Sequence, residues 1–110
     1  MAKYIIYFNQ QWVGNHTPEW FKSRGPLARQ VVSELKENGV LIFAGGVEEE
    51  IDKAIGVDQT GALIGPISTT NEYIGGLTII DVGSDEEANY WGSKIAQACG
   101  WPQEIRKLKD

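Results

Sequence analysis

An α+β domain is expected from this chain: a βαββαβ split unit with an inserted β-hairpin, its antiparallel sheet carrying both helices on one face. Residues 77–82, Leu-Thr-Ile-Ile-Asp-Val, are apolar and β-branched enough for a central strand. Ser84 follows with Glu87 three positions later, the capping-box spacing that opens a helix, and Asp85 and Glu86 place negative charge at its positive pole. The periodic segments run strand, helix, strand, hairpin, strand, helix, strand over 110 residues, the size of a single domain.

Taken in order, Lys3 to Asn9 alternates Tyr4, Ile6 and Phe8 with Ile5, Tyr7 and Asn9, so both faces of this first strand are largely apolar. Gln10 to His16 has no period and reads as a loop. Thr17 caps the next helix, with Pro18 at its first position and Glu19 in its first turn. Gly25-Pro26 is expected to split that helix, giving a short turn over Pro18–Ser23 and a longer helix from Pro26. Leu27, Val31, Val32 and Leu35 form its apolar stripe, and Asn38-Gly39 ends it.

Val40 to Ala44 is the second strand. Lys53–Val57 and Ala62–Ile64 flank Asp58-Gln59-Thr60-Gly61 as a hairpin, with Gly61 where the turn wants positive φ. Ser68 to Tyr73 is polar and suits one helical turn. The second helix carries Ala88, Trp91, Ile95 and Ala98 on one stripe and stops at Gly100, and Glu104–Leu108 forms the last strand. Two helices cover one face of such a sheet, yet apolar residues fall on both. That pattern predicts a homodimer in which two sheets face each other across a small cavity.

Composition narrows the classes of function. A net charge of −5 and a pI near 4.8 argue against a nucleic-acid partner, which needs a basic face. Arg106-Lys107-Leu108-Lys109 and Glu48-Glu49-Glu50 read as a solvated tail and a solvated loop. No apolar run approaches the ~20 residues that span a bilayer, so no membrane partner is expected. Met1 to Asn9 is too short and polar-flanked for a secretory signal, and the single Cys99 suits a reducing cytoplasm.

Gly75-Gly76-Leu77, Ile79-Ile80-Asp81-Val82, Ser84-Asp85-Glu86-Glu87-Ala88 with Trp91, Asn38-Gly39-Val40-Leu41 and Glu104-Ile105-Arg106 together resemble the YCII-related family, in its branch named after an Asp-Gly-Pro-Phe motif. The resemblance covers nearly the whole chain, with Gly65-Pro66 where the naming motif falls and Glu72 at the acidic position after it. It implies a ferredoxin-like fold that pairs as a dimeric α/β barrel. Some relatives look like small hydrolyase- or dehydrochlorinase-type enzymes acting on ring metabolites, with a His–Asp pair as the proposed catalytic unit. This chain departs from the pattern: Ile64 and Ile67 replace the motif Asp and Phe, and Pro26 to Asn38 contains no His.

Among individual side chains, His16 is the only histidine and hence the one group whose unperturbed pKa lies near neutrality. It is a candidate general base, or simply a loop residue beside the Thr17 cap. Asp81, at the end of the central strand, is a candidate acid/base if buried in the barrel, or a strand-end carboxylate bonding its own turn. Glu72 offers the same choice in a polar loop. Tyr7, Trp12, Trp20 and Tyr73 are the aromatic set that either lines a ligand cavity or fills core and interface, and Asn9 supplies a polar tip at the mouth of the first strand. Arg24 either meets a carboxylate or phenolate or lies on the surface. One Cys and one His make no zinc site, and no phosphate loop or dinucleotide fingerprint is present, so no cofactor is expected.

Two functions follow as expectations. One is a cofactor-independent enzyme or binding protein for a small planar metabolite in the dimer cavity, with His16 and Asp81 as its reactive groups. The other is a non-catalytic dimeric interaction or regulatory module.

Overall fold

In the computed structural model, which describes residues 1–68 and 72–109, the elements are β1 (Ala2–Asn9), α1 (Pro18–Glu37), β2 (Leu41–Gly46), β3 (Gly56–Val57), β4 (Leu63–Ile64), β5 (Ile74–Val82), α2 (Asp85–Cys99) and β6 (Glu104–Lys107). Four strands form an antiparallel sheet in the order β2-β5-β1-β6, and β3 pairs with β4 as a separate hairpin. The chain is therefore α+β, with two helices and a four-stranded antiparallel sheet, consistent with the ferredoxin-like class. Both helices pack on the same side of it.

The helix ends are chemically specified. Thr17 Oγ1 accepts from the Trp20 N–H at 3.1 Å and Ser84 Oγ from the Glu87 N–H at 3.2 Å, each satisfying one free donor of a first turn. At the end of α1, the Gly39 N–H donates to Lys36 and the Val40 N–H to Leu35, with Gly39 at φ +70°. This is the paired-bond arrangement that turns a helix into a following strand.

The break expected at Gly25-Pro26 does not occur: α1 runs unbroken through Pro26. A proline ring disfavours helical geometry in the preceding residue partly by striking its Cβ, and Gly25 has none. Packing on both sides, Trp20 and Phe21 near Trp101 before the proline and Val31 and Leu35 in the core after it, holds the remaining geometry. The hairpin is also shorter than expected, because Ile51–Lys53 coils into a 3₁₀ turn before β3. Gly61 has φ +89° there, as the turn requires. The helical turn expected over Ser68 to Tyr73 falls partly on residues 69–71, outside the described residues; Glu72 and Tyr73 are not helical.

The core lies between helices and sheet. Tyr4 and Ile6 of β1, Ile80 and Val82 of β5, Val31 and Leu35 of α1, and Trp91 and Ile95 of α2 form one buried cluster. Ile6, Leu35, Ile80 and Val82 are fully buried, each worth ~1.5–3 kcal/mol in removed apolar surface. The opposite sheet face carries Lys3, Ile5 and Tyr7 of β1, paired with Asp81, Ile79 and Leu77 of β5. Apart from exposed Lys3 these are half-buried, and Phe43 beside Ile79 is 51% exposed. No helix among the described residues is long and apolar enough to cross a membrane.

Candidate functional site

A cavity of about 390 Å³ opens between α1, the end of α2 and the helix-facing side of the sheet. Small residues line it from both layers: Gly25 and Ala28 on α1, and Ala44 and Gly46 on β2. Larger side chains at those positions would have closed the layer, as Val31 and Ile80 do nearer the core. Phe8, Phe21 and Trp101 supply the aromatic wall, and Ile95 and Cys99 of α2 the far side.

The aromatic wall depends on three glycines. Phe8 lies edge-on to Trp101 with ring centroids 5.1 Å apart, and it occupies the space that a Cβ on Gly75 or Gly76 would need. The Trp20 ring similarly sits where a Cβ on Gly100 would fall, 6.1 Å from Trp101. Gly100 thus both ends α2 in the left-handed conformation and lets an indole approach its backbone.

The polar groups at the wall are mainly donors. Arg24 stacks its guanidinium over Trp20, 5.0 Å from the ring centroid, and donates from Nη1 to the Gln97 carbonyl at 3.3 Å. Arg24 Nε, Trp101 Nε1 and Gln103 Nε2 are buried with no acceptor among the described residues. Thr78 is the buried hydroxyl of the lining. The Cys99 thiol is pushed up by burial, partly countered by the charge of Arg24, so it is a neutral small side chain rather than a thiolate nucleophile.

The residues singled out from sequence fall into separate places. Arg24 lines the cavity, and Trp20 stands behind it. His16 stacks on Trp20 with centroids 3.6 Å apart and planes 12° apart, and meets Phe21 edge-on. Its Nε2 lies 2.9 Å from the Val13 carbonyl. A carbonyl can only accept, so Nε2–H is the donor of this contact. His16 is exposed and is not part of the cavity wall.

Tyr7, Trp12 and Asp81 belong to the other side of the sheet. Tyr7 packs 6.1 Å from Trp12 and donates its hydroxyl to Glu104, which raises its phenol pKa against an opposing effect of Arg106. Asp81 Oδ2 is 4.0 Å from Lys3 Nζ, while its Oδ1 is buried without a partner among the described residues. Asn9 ends β1 at a shift in register, and Glu72 is an exposed loop carboxylate. Tyr73 donates its hydroxyl to the Glu49 carbonyl at 3.0 Å and is not in the cavity.

Asp81 pairs with Lys3 at one end of β1, and His16 follows Asn9 beyond the other. Six residue steps along β1, ~20 Å at the strand rise, separate those ends, so the two groups do not form an acid–base pair within one chain. Sequence reasoning missed Phe8, Thr78, Trp101 and Gln103 as cavity residues. The available signal was the set of small residues at Gly25, Ala28, Ala44 and Gly46. No three or more metal-ligating side chains cluster among the described residues. The chain matches no protein-family model, and no curated protein is significantly similar to it.

Proposed function

We propose that this protein binds a small, largely apolar molecule in the cavity between α1, α2 and the sheet. What carries the reading is the wall itself: aromatic and aliphatic side chains around about 390 Å³, with a few polar groups among them. Ligand sites of ~300–1,000 Å³ are commonly built this way. The reading moves the site from the expected space between two sheets to the helix-facing side of one chain. It is a binding function first, because His16 and Asp81 stand at opposite ends of β1 and neither lines this cavity.

Filling the cavity tests the reading. Ala28→Leu places a side chain into the space while leaving the core cluster intact. Calorimetric titration with a planar aromatic probe such as naphthalenemethanol is expected to show binding to the natural protein and none to the variant. A variant that binds equally well would exclude the cavity.

A second reading concerns the open sheet face. We propose that it pairs with a second copy, as the resemblance to the YCII-related, ferredoxin-like dimeric α/β barrels implies. Its support is the half-exposed apolar strip of Ile5, Tyr7, Leu77 and Ile79 with Phe43 beside it. Sedimentation at micromolar concentration distinguishes the cases. A dimer that Ile79→Lys converts to monomer supports the pairing, and a monomeric natural protein ends it.

A further inference from the structure

We infer that the hairpin arm, residues 47–67, docks on a second copy of this chain, along the β6 edge of that copy's open sheet face. This rests on the pairing of open sheet faces proposed above and adds the element that clasps the pair. The arm is ordered but uncovered. Gly56 and Val57 pair with Ile64 and Leu63, Asp58 fixes the turn through Thr60 and Ala62, and the Val47 N–H donates to the Gly75 carbonyl at the base. Yet Ile55, Val57, Leu63, Ile64 and Ile67 are 44–73% exposed, and none belongs to the core cluster. Val57 and Leu63 stand opposite each other across the pair, while Ile64 and Ile67 meet at Gly56. Single apolar side chains are ordinary on a surface, but five on one short hairpin form a patch of the kind that marks an interaction site. A two-stranded hairpin with no layer beneath it is marginal in water, so this one needs a surface to lie on. The Cα radius of gyration, 15.5 Å against the ~13 Å of a compact chain this long, fits an arm held out from the body.

Charge and area both name a second copy as the occupant. The arm carries Glu48, Glu49, Glu50, Asp52 and Asp58 against Lys53 alone. The last strand and its tail carry Arg106, Lys107 and Lys109 against Glu104, whose carboxylate is taken by the Tyr7 hydroxyl. Arg106 is exposed opposite Ile5, hence on the open face, and neither it nor Lys107 enters an ion pair among the described residues. Each run alone reads as solvated, but the strand order β2-β5-β1-β6 puts them at opposite edges, since the arm leaves the sheet from β2. A two-fold axis along the strands, between two facing sheets, lays each β2 edge over the other copy's β6 edge and so joins acid to base twice. An axis across the strands would instead bring the two acidic arms together. Area agrees. A stable interface takes ~800 Å² from each partner, more than the half-buried strip of Ile5, Tyr7, Leu77 and Ile79 with Phe43 offers, and the arm supplies further apolar surface continuous with β2.

Sedimentation equilibrium of the full chain measures the dimer dissociation constant for the natural protein and for variants on the arm. Ile55→Ser with Leu63→Ser removes two exposed side chains that support no core, and is expected to weaken the dimer at least tenfold. Glu48→Lys with Glu49→Lys is expected to weaken it roughly tenfold, and adding Arg106→Glu to the same chain to recover most of that loss. Should Arg106→Glu fail to fold, Lys107→Glu takes its place as the compensating change. A dimer that Ile79→Lys breaks but Ile55→Ser with Leu63→Ser leaves untouched overturns the arm and keeps the face-to-face pairing. Charge reversal on the arm that does not weaken the dimer, or that neither β6 change compensates, overturns the seat on the β6 edge. A natural protein that stays monomeric leaves the arm to a partner of another sequence and overturns both this inference and the pairing it rests on.

Discussion

The Phe8 ring lies across the strand pair from Gly76, so close that a Cβ on that glycine would fall 2.7 Å and 3.0 Å from two ring carbons. The same Cβ would stand 3.3 Å from the Gly45 carbonyl oxygen, so backbone confines it on the other side. Gly76→Ala is therefore expected to cost ~1–3 kcal/mol of stability by overpacking and to shrink the cavity as well. Urea unfolding reads the first effect and probe titration the second. An unchanged midpoint together with unchanged probe affinity would contradict the placement of Phe8.

How much of this was legible beforehand differs by element. Gly75–Trp91 declared itself as strand, turn and helix because period, cap and charge agree over a short span, and β5 and α2 form there. Gly25-Pro26 misled because its local preference is real but weak: a glycine before the proline removes part of the clash, and tertiary packing supplies the rest. Tyr7, Trp12, Trp20 and Arg24 were recognisable as residue types suited to a site. Which sheet face each one meets depends on register, and one residue of register moves a side chain to the other face. Tyr7 on β1 is turned to the open face by that parity, whereas Arg24 belongs to α1 and so lies on the helix side. The cavity itself is an absence of side chains, visible only once α1 and β2 are laid together.

Gly92 and Ile105 are the second close approach that determines packing. A Cβ on Gly92 would meet Ile105 Cδ1 at 2.4 Å and Cγ1 at 2.9 Å, so α2 sits on β6 at glycine distance. Alanine is intrinsically better than glycine in a helix by ~1 kcal/mol, but overpacking of ~1–3 kcal/mol opposes it. Gly92→Ala is expected to be destabilising overall. Ile105→Val in the same chain should recover part of the loss by removing the offending methyl. A double-mutant cycle is expected to return a coupling of ~0.5–3 kcal/mol, and additivity would contradict the contact.

Tyr4 donates its hydroxyl to Asp85 at the start of α2, and its phenol pKa is pushed up to about 12, first by that bond and then by burial and nearby negative charge. Because the folded value lies above the ordinary 10.0, this group's contribution to stability is complete below that pH and is lost as pH rises toward about 12. A tyrosinate absorbance titration is expected to show Tyr4 and Tyr7 ionising late, with the step at about 12 absent in Tyr4→Phe. Asp85→Asn should bring the Tyr4 phenol back toward its ordinary range. If Asp85→Asn leaves the late step where it was, the hydrogen bond is not its main cause.

At the hairpin the sign is reversed. Asp58 Oδ1 accepts from the Thr60 N–H at 2.9 Å, the Thr60 hydroxyl at 2.6 Å and the Ala62 N–H at 3.1 Å. These bonds favour the carboxylate over the acid, the Thr60 hydroxyl contributing most, and they lower the Asp58 pKa below 3.8. The stabilisation is therefore present above the unfolded value and is lost as pH falls through the lower, folded one. Acid should loosen the turn between β3 and β4 before it disturbs the helix–sheet core, because none of its bonds reaches that core. In an NMR titration the Thr60 and Ala62 amide shifts are expected to move together with a midpoint below 3.8, ahead of Ile6 and Ile80. Thr60→Val removes the largest contribution while keeping the backbone N–H, so the midpoint should rise toward the ordinary value. A midpoint that does not move on Thr60→Val would show that the backbone donors alone hold the carboxylate.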